Sequence, residues 1–410
     1  MQTAYIGALS VAMLVAACTD HERGAGEQVV RDSSAVLVVD YPQSLGTVPT
    51  WSRRSDPTLM LGEVSGRDEV LFTRVVAAFG GVDGTLVVAE GQSRQIRWFD
   101  GTGGPLRAVG GPGDGPGEFQ RLSWVGRLTG DTIGAWDGVG RRLSIFSPTG
   151  DFLASHTVGA IEEVFDSPAG TLIGTQPQAL GAFADGSVLA NLVVVYPEVP
   201  AGVRRDVVPL MLWDGPAREW RRLDAPITAE FFIDPASQVL GALPLPFGIR
   251  IRVAVADEWA VIGWGDERGF TIIDRRGDTR AVIRPRLGRV PVTRDEVELD
   301  RRTRVDAAAP EDRDQLREAL QAVPYPEVRP AHGRIVAGDG EFWVEETDGG
   351  DSNGNSRWLV FSLSGDVLGS VEVPNRVRIT DVTFDHFVGV ATDDLGVPRV
   401  VRFEVRRDVR

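Results

Sequence analysis

Four sets of residues in this 410-residue chain have types and spacings that could do chemistry. The first is VGGPGDGPGEF, Val109 to Phe119, whose five glycines invite a phosphate-cradling reading. A phosphate loop needs a lysine and a Ser/Thr after its last glycine, to reach phosphate oxygens and Mg²⁺. Here Gly117 is followed by Glu118 and Phe119, and all 43 basic residues are arginine. Glu118 would repel a phosphate, and the glycines do not fit the G-x-G-x-x-G dinucleotide pattern. The missing lysines also exclude Schiff-base chemistry. The second set, Asp351-Ser352-Asn353-Gly354-Asn355, copies the first oxygen positions of a calcium loop. It has Ser356 where such a loop needs glycine and Ser362 where it needs a bidentate acid, so it reads as a solvated loop tip. The third set is the histidines His21, His156, His332 and His386, which show no H-x-x-H or H-E-x-x-H spacing. There is no G-x-S-x-G nucleophile elbow either. These residues therefore name no catalytic residue and no metal ligand. In the fourth set Glu90 with Arg94, and Asp137 with Arg141, occur at matching positions of two similar segments. Active sites rarely repeat, so these are expected to be structural ion pairs between strands.

The repetition leads to the elements that must carry these residues. VVAEGQSRQIRWFDGTG (87–103) and GAWDGVGRRLSIFSPTG (134–150) superpose at a constant offset of 47. A period of 40–50 residues, with short alternating strands and turn glycines, signals a β-propeller with one blade per repeat. Weaker copies of the third strand follow in LMLWDG (210–215), FTIIDRRG (270–277), WLVFSLSG (358–365) and VVRFEV (400–405). The expected fold is therefore all-β, a six-bladed β-propeller over 51–410. Residues 57–62 have no blade before them and are expected to pair with the last blade, closing the ring. GGPGDGPGEF then becomes the crossing from one blade's rim to the next blade's axis, with glycines at positive φ and Phe119 in the core.

The pattern GxGxGPGxF, followed by an apolar strand, an acid, an arginine and hxhF, resembles the NHL-type β-propeller repeat. The chain is similar in this to the bacterial six-bladed propeller lipoproteins, over roughly residues 50–406. The resemblance is strong in blades one and two and only patterned in the others, where Arg94 and the Gly-Pro loop lack counterparts. It implies a binding platform, since NHL-type propellers act mostly as such. A few relatives are lyases or lactonases, which implies the alternative of a hydrolase or lyase holding a divalent cation at the central channel. No other cofactor is expected.

At the N-terminus, MQTAYIGALSVAMLVAAC holds an apolar stretch too short to span a bilayer. VAAC, Val15 to Cys18, resembles a lipobox, although no Arg or Lys precedes the apolar run. That implies export, lipidation at Cys18 and residence in the cell envelope, with 1–18 as signal and 19–50 as a tether leading into the domain. The net charge of −15 and isoelectric point near 4.9 disfavour nucleic acid and anionic membrane surfaces. The long segments 196–207, 224–250, 286–332 and 345–357 all join strand ends that open on one face of the ring, which makes that face the expected recognition surface. Within 291–324, Thr293-x-x-Glu296 is a capping box. Leu316, Ala319, Leu320 and Val323 form an apolar stripe, predicting a helical insertion between blades four and five. The expected function is a lipid-anchored, monomeric binding module for a protein, glycan or small anionic ligand. Arg74, Arg121 and Arg250, on or near the inner strands, would favour an anion. His332 and His386, near the inner strands of blades five and six, are the other candidate ligand residues.

Overall fold

The computed structural model describes residues 28–407, apart from 34–35, 46, 162, 168–169, 196–200, 235–236, 238–241, 267 and 348–353. Cys18, the expected signal, His21, and Asp351 and Asn353 of the calcium-like stretch lie outside the described residues. The described chain is all-β, with many small antiparallel sheets and two helices.

Sheet one comprises Val75–Gly80, Leu86–Glu90, Gln95–Phe99 and Pro105–Gly110, paired in that order. Sheet two repeats the arrangement with Leu122–Arg127, Ile133–Asp137, Arg142–Phe146 and Phe152–Thr157. The third strands of sheets three to six are Gly202–Asp214, Phe270–Asp274, Asn355–Ser362 and Pro398–Arg406. All four cover at least the first five residues of the segments read from the sequence as third strands. The second strand of each sheet is mostly apolar on both faces because both faces are covered. Leu86–Glu90 is buried throughout, whereas the outer strand Pro105–Gly110 is largely exposed. Six apolar layers lie between sheets. Val87, Trp98 and Ile96 meet Val125 and Phe146 between sheets one and two. Trp136 meets Trp213, Leu189 meets Ile262, Ile272 meets Phe342, and Trp343 meets Val401 in the next four layers. In the sixth layer Val388 and Val400 of sheet six pack on Leu86 and Val88 of sheet one.

The segment from Gly110 to Phe119 makes the crossing from the outer strand of sheet one to the inner strand of sheet two. Gly117 stands at φ +77°, and a Cβ there would sit 3.4 Å from the Phe146 ring. Phe119 is fully buried against Phe146, their ring centroids 6.4 Å apart. Arg142 holds the loop by donating to the carbonyl oxygens of Asp114 and Glu118 at 2.6 and 2.7 Å.

The N-terminal part departs from the simple tether expected over 19–50. Val36–Ser44 runs parallel to Thr279–Arg286, the outer strand of sheet four, and Val29–Ser33 pairs beyond it. The alternation in VLVVDY buries Val39 and Tyr41, and the Tyr41 hydroxyl donates to the Gly365 carbonyl at 2.6 Å. Thr50–Arg53 then pairs with strands of both sheet five and sheet six. Leu59–Leu61 lies antiparallel to Pro398–Arg406, as the outermost strand of sheet six.

Two expected loops are also partly strand. Gly202–Asp214 pairs with Glu219–Ile233 from Gly202↔Ile233 to Asp214↔Glu219. Pro209 and Pro226, which look like strand breakers, pair with each other beside the one register shift of the ladder, where a proline is tolerated. The insertion forms two helices, α1 (Arg294–Ala307) and α2 (Arg313–Ala319), and the Thr293–Glu296 capping box is made. Leu316, Ala319, Leu320 and Val323 pack with Val305 on Phe232, Leu243 and Leu245 at the end of sheet three.

Candidate functional site

The repeated acids do not pair with the arginines four residues on. Glu90, at the end of the second strand of sheet one, accepts the backbone N–H groups of Thr73, Arg74 and Ser93. Burial raises its carboxyl pKa, but those bonds outweigh it and hold the group below the ordinary range. Asp137 accepts from the backbone of Gln120, Arg121, Val139 and Gly140 at 2.7–3.1 Å. Glu345 repeats the arrangement in sheet five, accepting the Arg334 N–H at 3.1 Å. Each acid thus clasps the incoming inner strand to its own sheet. Arg94 and Arg141, at φ +57° and +51°, are turn residues. The sequence comparison found the repeat but assigned it the wrong partner, because a backbone donor has no residue signature.

A cleft of about 970 Å³ lies beside sheet four. The 264–269 turn between the second and third strands of that sheet contributes to it, as does the 326–331 segment leading out of the helical insertion. The outer-strand end at 284–289, the N-terminal strand at Asp40–Pro42, and Arg205, Glu230 and Phe247 contribute further walls. These are the strand ends expected to carry the recognising loops. Six arginines line it (Arg205, Arg268, Arg284, Arg286, Arg289 and Arg329), against four carboxylates, Asp40, Glu230, Asp266 and Glu327. Arg205 pairs with Glu230 at 2.5 Å, Arg268 with Asp266 at 2.9 Å and Arg284 with Asp40 at 3.0 Å. Arg286 donates to the Pro42 carbonyl at 2.9 Å. Arg329 is held by Glu296 and lies 5.3 Å from the Phe247 ring centroid, while Arg268 covers Trp264 at 4.3 Å. A guanidinium carries five donors, and a carboxylate engages two at most. The acids therefore orient these arginines without using up their donors.

His332 closes the floor of the cleft and is buried, 3% exposed. Its Nε2 accepts the Gly265 N–H at 3.0 Å, its Nδ1 lies 3.0 Å from the Gly333 carbonyl oxygen, and its ring packs on Phe270. Those two bonds require a neutral ring with the proton on Nδ1. Burial pushes its pKa down to about 4. Unfolded, the ring titrates near 6.5, so the stability it contributes is complete above about pH 6.5 and is lost as pH falls toward 4. The loss should reach about 3 kcal/mol at pH 4. Urea denaturation at pH 7 and pH 4.5 should show it in the parent, and a His332→Gln variant should show a smaller difference. Equal pH dependence in both proteins would refute the assignment.

Of the other expected ligand residues, Arg250 adjoins the cleft through Ile249, while Arg74, Arg121 and His386 do not line it. Arg74 donates to the Gly91 carbonyl of its own sheet at 3.0 Å. The Arg121 guanidinium lies beside Gly138, and Arg121 serves the Asp137 clasp through its backbone. His386 sits at the opposite strand ends, its Nδ1 2.7 Å from Asp385 and 2.8 Å from Thr383, beside a hollow of about 280 Å³. The cleft arginines were missed because they come from four separated segments, with no local pattern to betray them. Among the described residues no three His, Cys, Asp or Glu side chains gather as metal ligands would.

The chain matches no protein-family model and no curated protein. Among solved structures it is similar to a member of the DUF4221 family from Bacteroides vulgatus, at 11% identity and TM-score 0.47, covering 87% of this chain and 98% of that one. It is also similar to a gluconolactonase from Xanthomonas campestris, at 11% identity and TM-score 0.39, covering 94% and 99%. A third is a catalytically inactive virginiamycin B lyase from Staphylococcus aureus, at 8% identity and TM-score 0.36, covering 87% and 99%.

Proposed function

We propose that this chain is an exported, closed six-bladed β-propeller that acts as a binding module, holding a small anionic ligand in the cleft beside sheet four. The six interlocking apolar layers, with sheet six packed on sheet one, support six blades and a closed ring. Leu59–Leu61 on the last sheet supports closure by the N-terminal segment. The VAAC sequence supports export and a lipid tether at Cys18.

One observation carries the ligand class. On a chain of net charge −15, this cleft gathers six arginines against four acids. Such a cleft attracts carboxylates, sulfates and phosphates through charge-assisted bonds, while the acidic surface elsewhere repels them. Phe247, beneath Arg329, adds an apolar wall for the body of the ligand.

The test is calorimetric titration with a panel of uronic-acid oligosaccharides and dicarboxylates, alongside their neutral counterparts. Acidic members should bind and neutral ones should not. Affinity should fall with added salt, since exposed charge contacts are screened beyond about 8 Å at physiological ionic strength. Arg268→Met and Arg284→Met should each weaken binding about tenfold, the worth of one charge-assisted hydrogen bond. A panel in which charge makes no difference, or variants that bind like the parent, would overturn the reading.

A further inference from the structure

A second group of arginines lies at the inner ends of three neighbouring sheets. Arg252 opens the inner strand of sheet four, Arg252–Ala256. Arg334 directly precedes the inner strand of sheet five, Ile335–Gly338, and Arg378 is second in that of sheet six, Val377–Val382. These inner strands are consecutive neighbours, and Val377–Val382 in turn neighbours Val75–Gly80 of sheet one. Arg250, two residues before Arg252, lies close enough to be repelled by it and by Arg304 of α1, and a backbone bridge to Ala229 of sheet three fixes its place.

The group has far more positive than negative charge. Glu345 is its one close acid at the strand ends, and Arg334 occupies it with two side-chain bonds of 2.8 Å. Arg334 is further held over Trp358 at 5.3 Å. Arg304 spends itself on Asp300 at 2.8 Å. Arg378 reaches only a carbonyl oxygen, that of Val75, at 2.9 Å. The guanidiniums of Arg250 and Arg252 have no hydrogen-bond partner among the described residues, although both are half-buried. Burial lowers the pKa of Arg250, Arg252 and Arg378, and the neighbouring arginines lower it further. Arg378 is exposed to solvent. Like charges held close together, away from balancing acids, cost stability unless something neutralises them.

We propose that Arg250, Arg252 and Arg378 form a second anion site, distinct from the cleft, that takes a compact dianionic oxyanion such as a phosphate or phosphomonoester group. A dianion neutralises two of the charges at once and offers several acceptor oxygens to donors arriving from different strands. A single carboxylate would leave most of the repulsion in place. Arg334, fixed by Glu345 and Trp358, is the backing charge rather than a direct ligand.

The test uses inorganic phosphate on the full-length protein, with the melting temperature followed at constant ionic strength set by sodium chloride. Phosphate should raise the melting temperature saturably, at millimolar concentrations or below. Arg252→Met should lose the response or need at least about tenfold more phosphate, as loss of one charge-assisted partner demands. Without phosphate the same variant should melt no lower than the parent, because it removes repulsion; Arg378→Met repeats the comparison at a second position. Any phosphate held by the cleft should be lost in Arg284→Met, while the part of the response that Arg252→Met removes should persist there, so failure of either site leaves the other open to test. The proposal falls if chloride alone matches the phosphate effect, if the response does not saturate, or if Arg252→Met melts lower and still responds as the parent does.

Discussion

Trp51→Ala should destabilise the protein by about 3–5 kcal/mol, the range for deleting a buried tryptophan side chain. Trp51 belongs to a short strand seated between sheets five and six, paired through Val371 on one side. It is 7% exposed. Its indole lies against Gly369, where a Cβ would approach to 2.4 Å, and the Arg407 guanidinium caps it at 4.2 Å. No neighbour can collapse into the space without unseating the strand. The change would also leave Arg407, paired with Glu341, with Phe384 alone against its guanidinium. Urea denaturation gives the number, and Met60→Ala is the control. Met60 is 58% exposed, so its loss should stay within about 0.5 kcal/mol. Similar midpoints for the two variants would mean that the strand does not hold the sheets together.

Asp137→Ala is expected to cost about 3 kcal/mol or more, for a different reason. The carboxylate is fully buried and accepts four backbone N–H groups, two from the incoming strand of sheet two and two from the 138–141 turn. Arg142 stands 3.7 Å away as its counter-charge. Alanine would leave all those donors buried and unanswered, and each such group costs about 1–3 kcal/mol, less whatever water recovers. Asp100→Ala removes a carboxylate that accepts two backbone N–H groups and a hydroxyl, in an exposed turn. Water replaces it there, so the loss should be small beside that of Asp137→Ala. If the two variants proved equally stable, the clasp would be incidental to the fold.

The fold was legible wherever side-chain pattern alone decides structure. The 47-residue offset, the six third-strand segments, the capping box at Thr293 and the stripe from Leu316 to Val323 are local signals, and each falls on the element it predicts. What escaped was set by partners distant in sequence. Val36–Ser44 carries a strand alternation, but nothing in its residues says that it will lie parallel to Thr279–Arg286. Pro209 and Pro226 are breakers until they face each other. The site follows the same logic. His332 was legible as a candidate and is a buried neutral ring, whereas the cleft's arginines come from segments as far apart as Arg205 and Arg329.

The placement of the N-terminal strands also fixes an order of events. A ribosome, or an export pore working from the N-terminus, delivers Thr58 early and Arg402 near the end, yet the two are bonded at a separation of 344 positions. The strands that emerge first are therefore the last to find partners. Val36–Ser44 must wait for sheet four, and Leu59–Leu61 for sheet six. Until then Leu59–Leu61 has no partner and Val36–Ser44, paired only with Val29–Ser33, keeps an open edge, the kind of segment that pairs wrongly with other chains. Loop closure over such separations makes the last step slow. A nascent chain halted before Pro398 should hold most of its sheets and still be sticky, and a protein built this way has reason to depend on a holding chaperone until its final strand arrives.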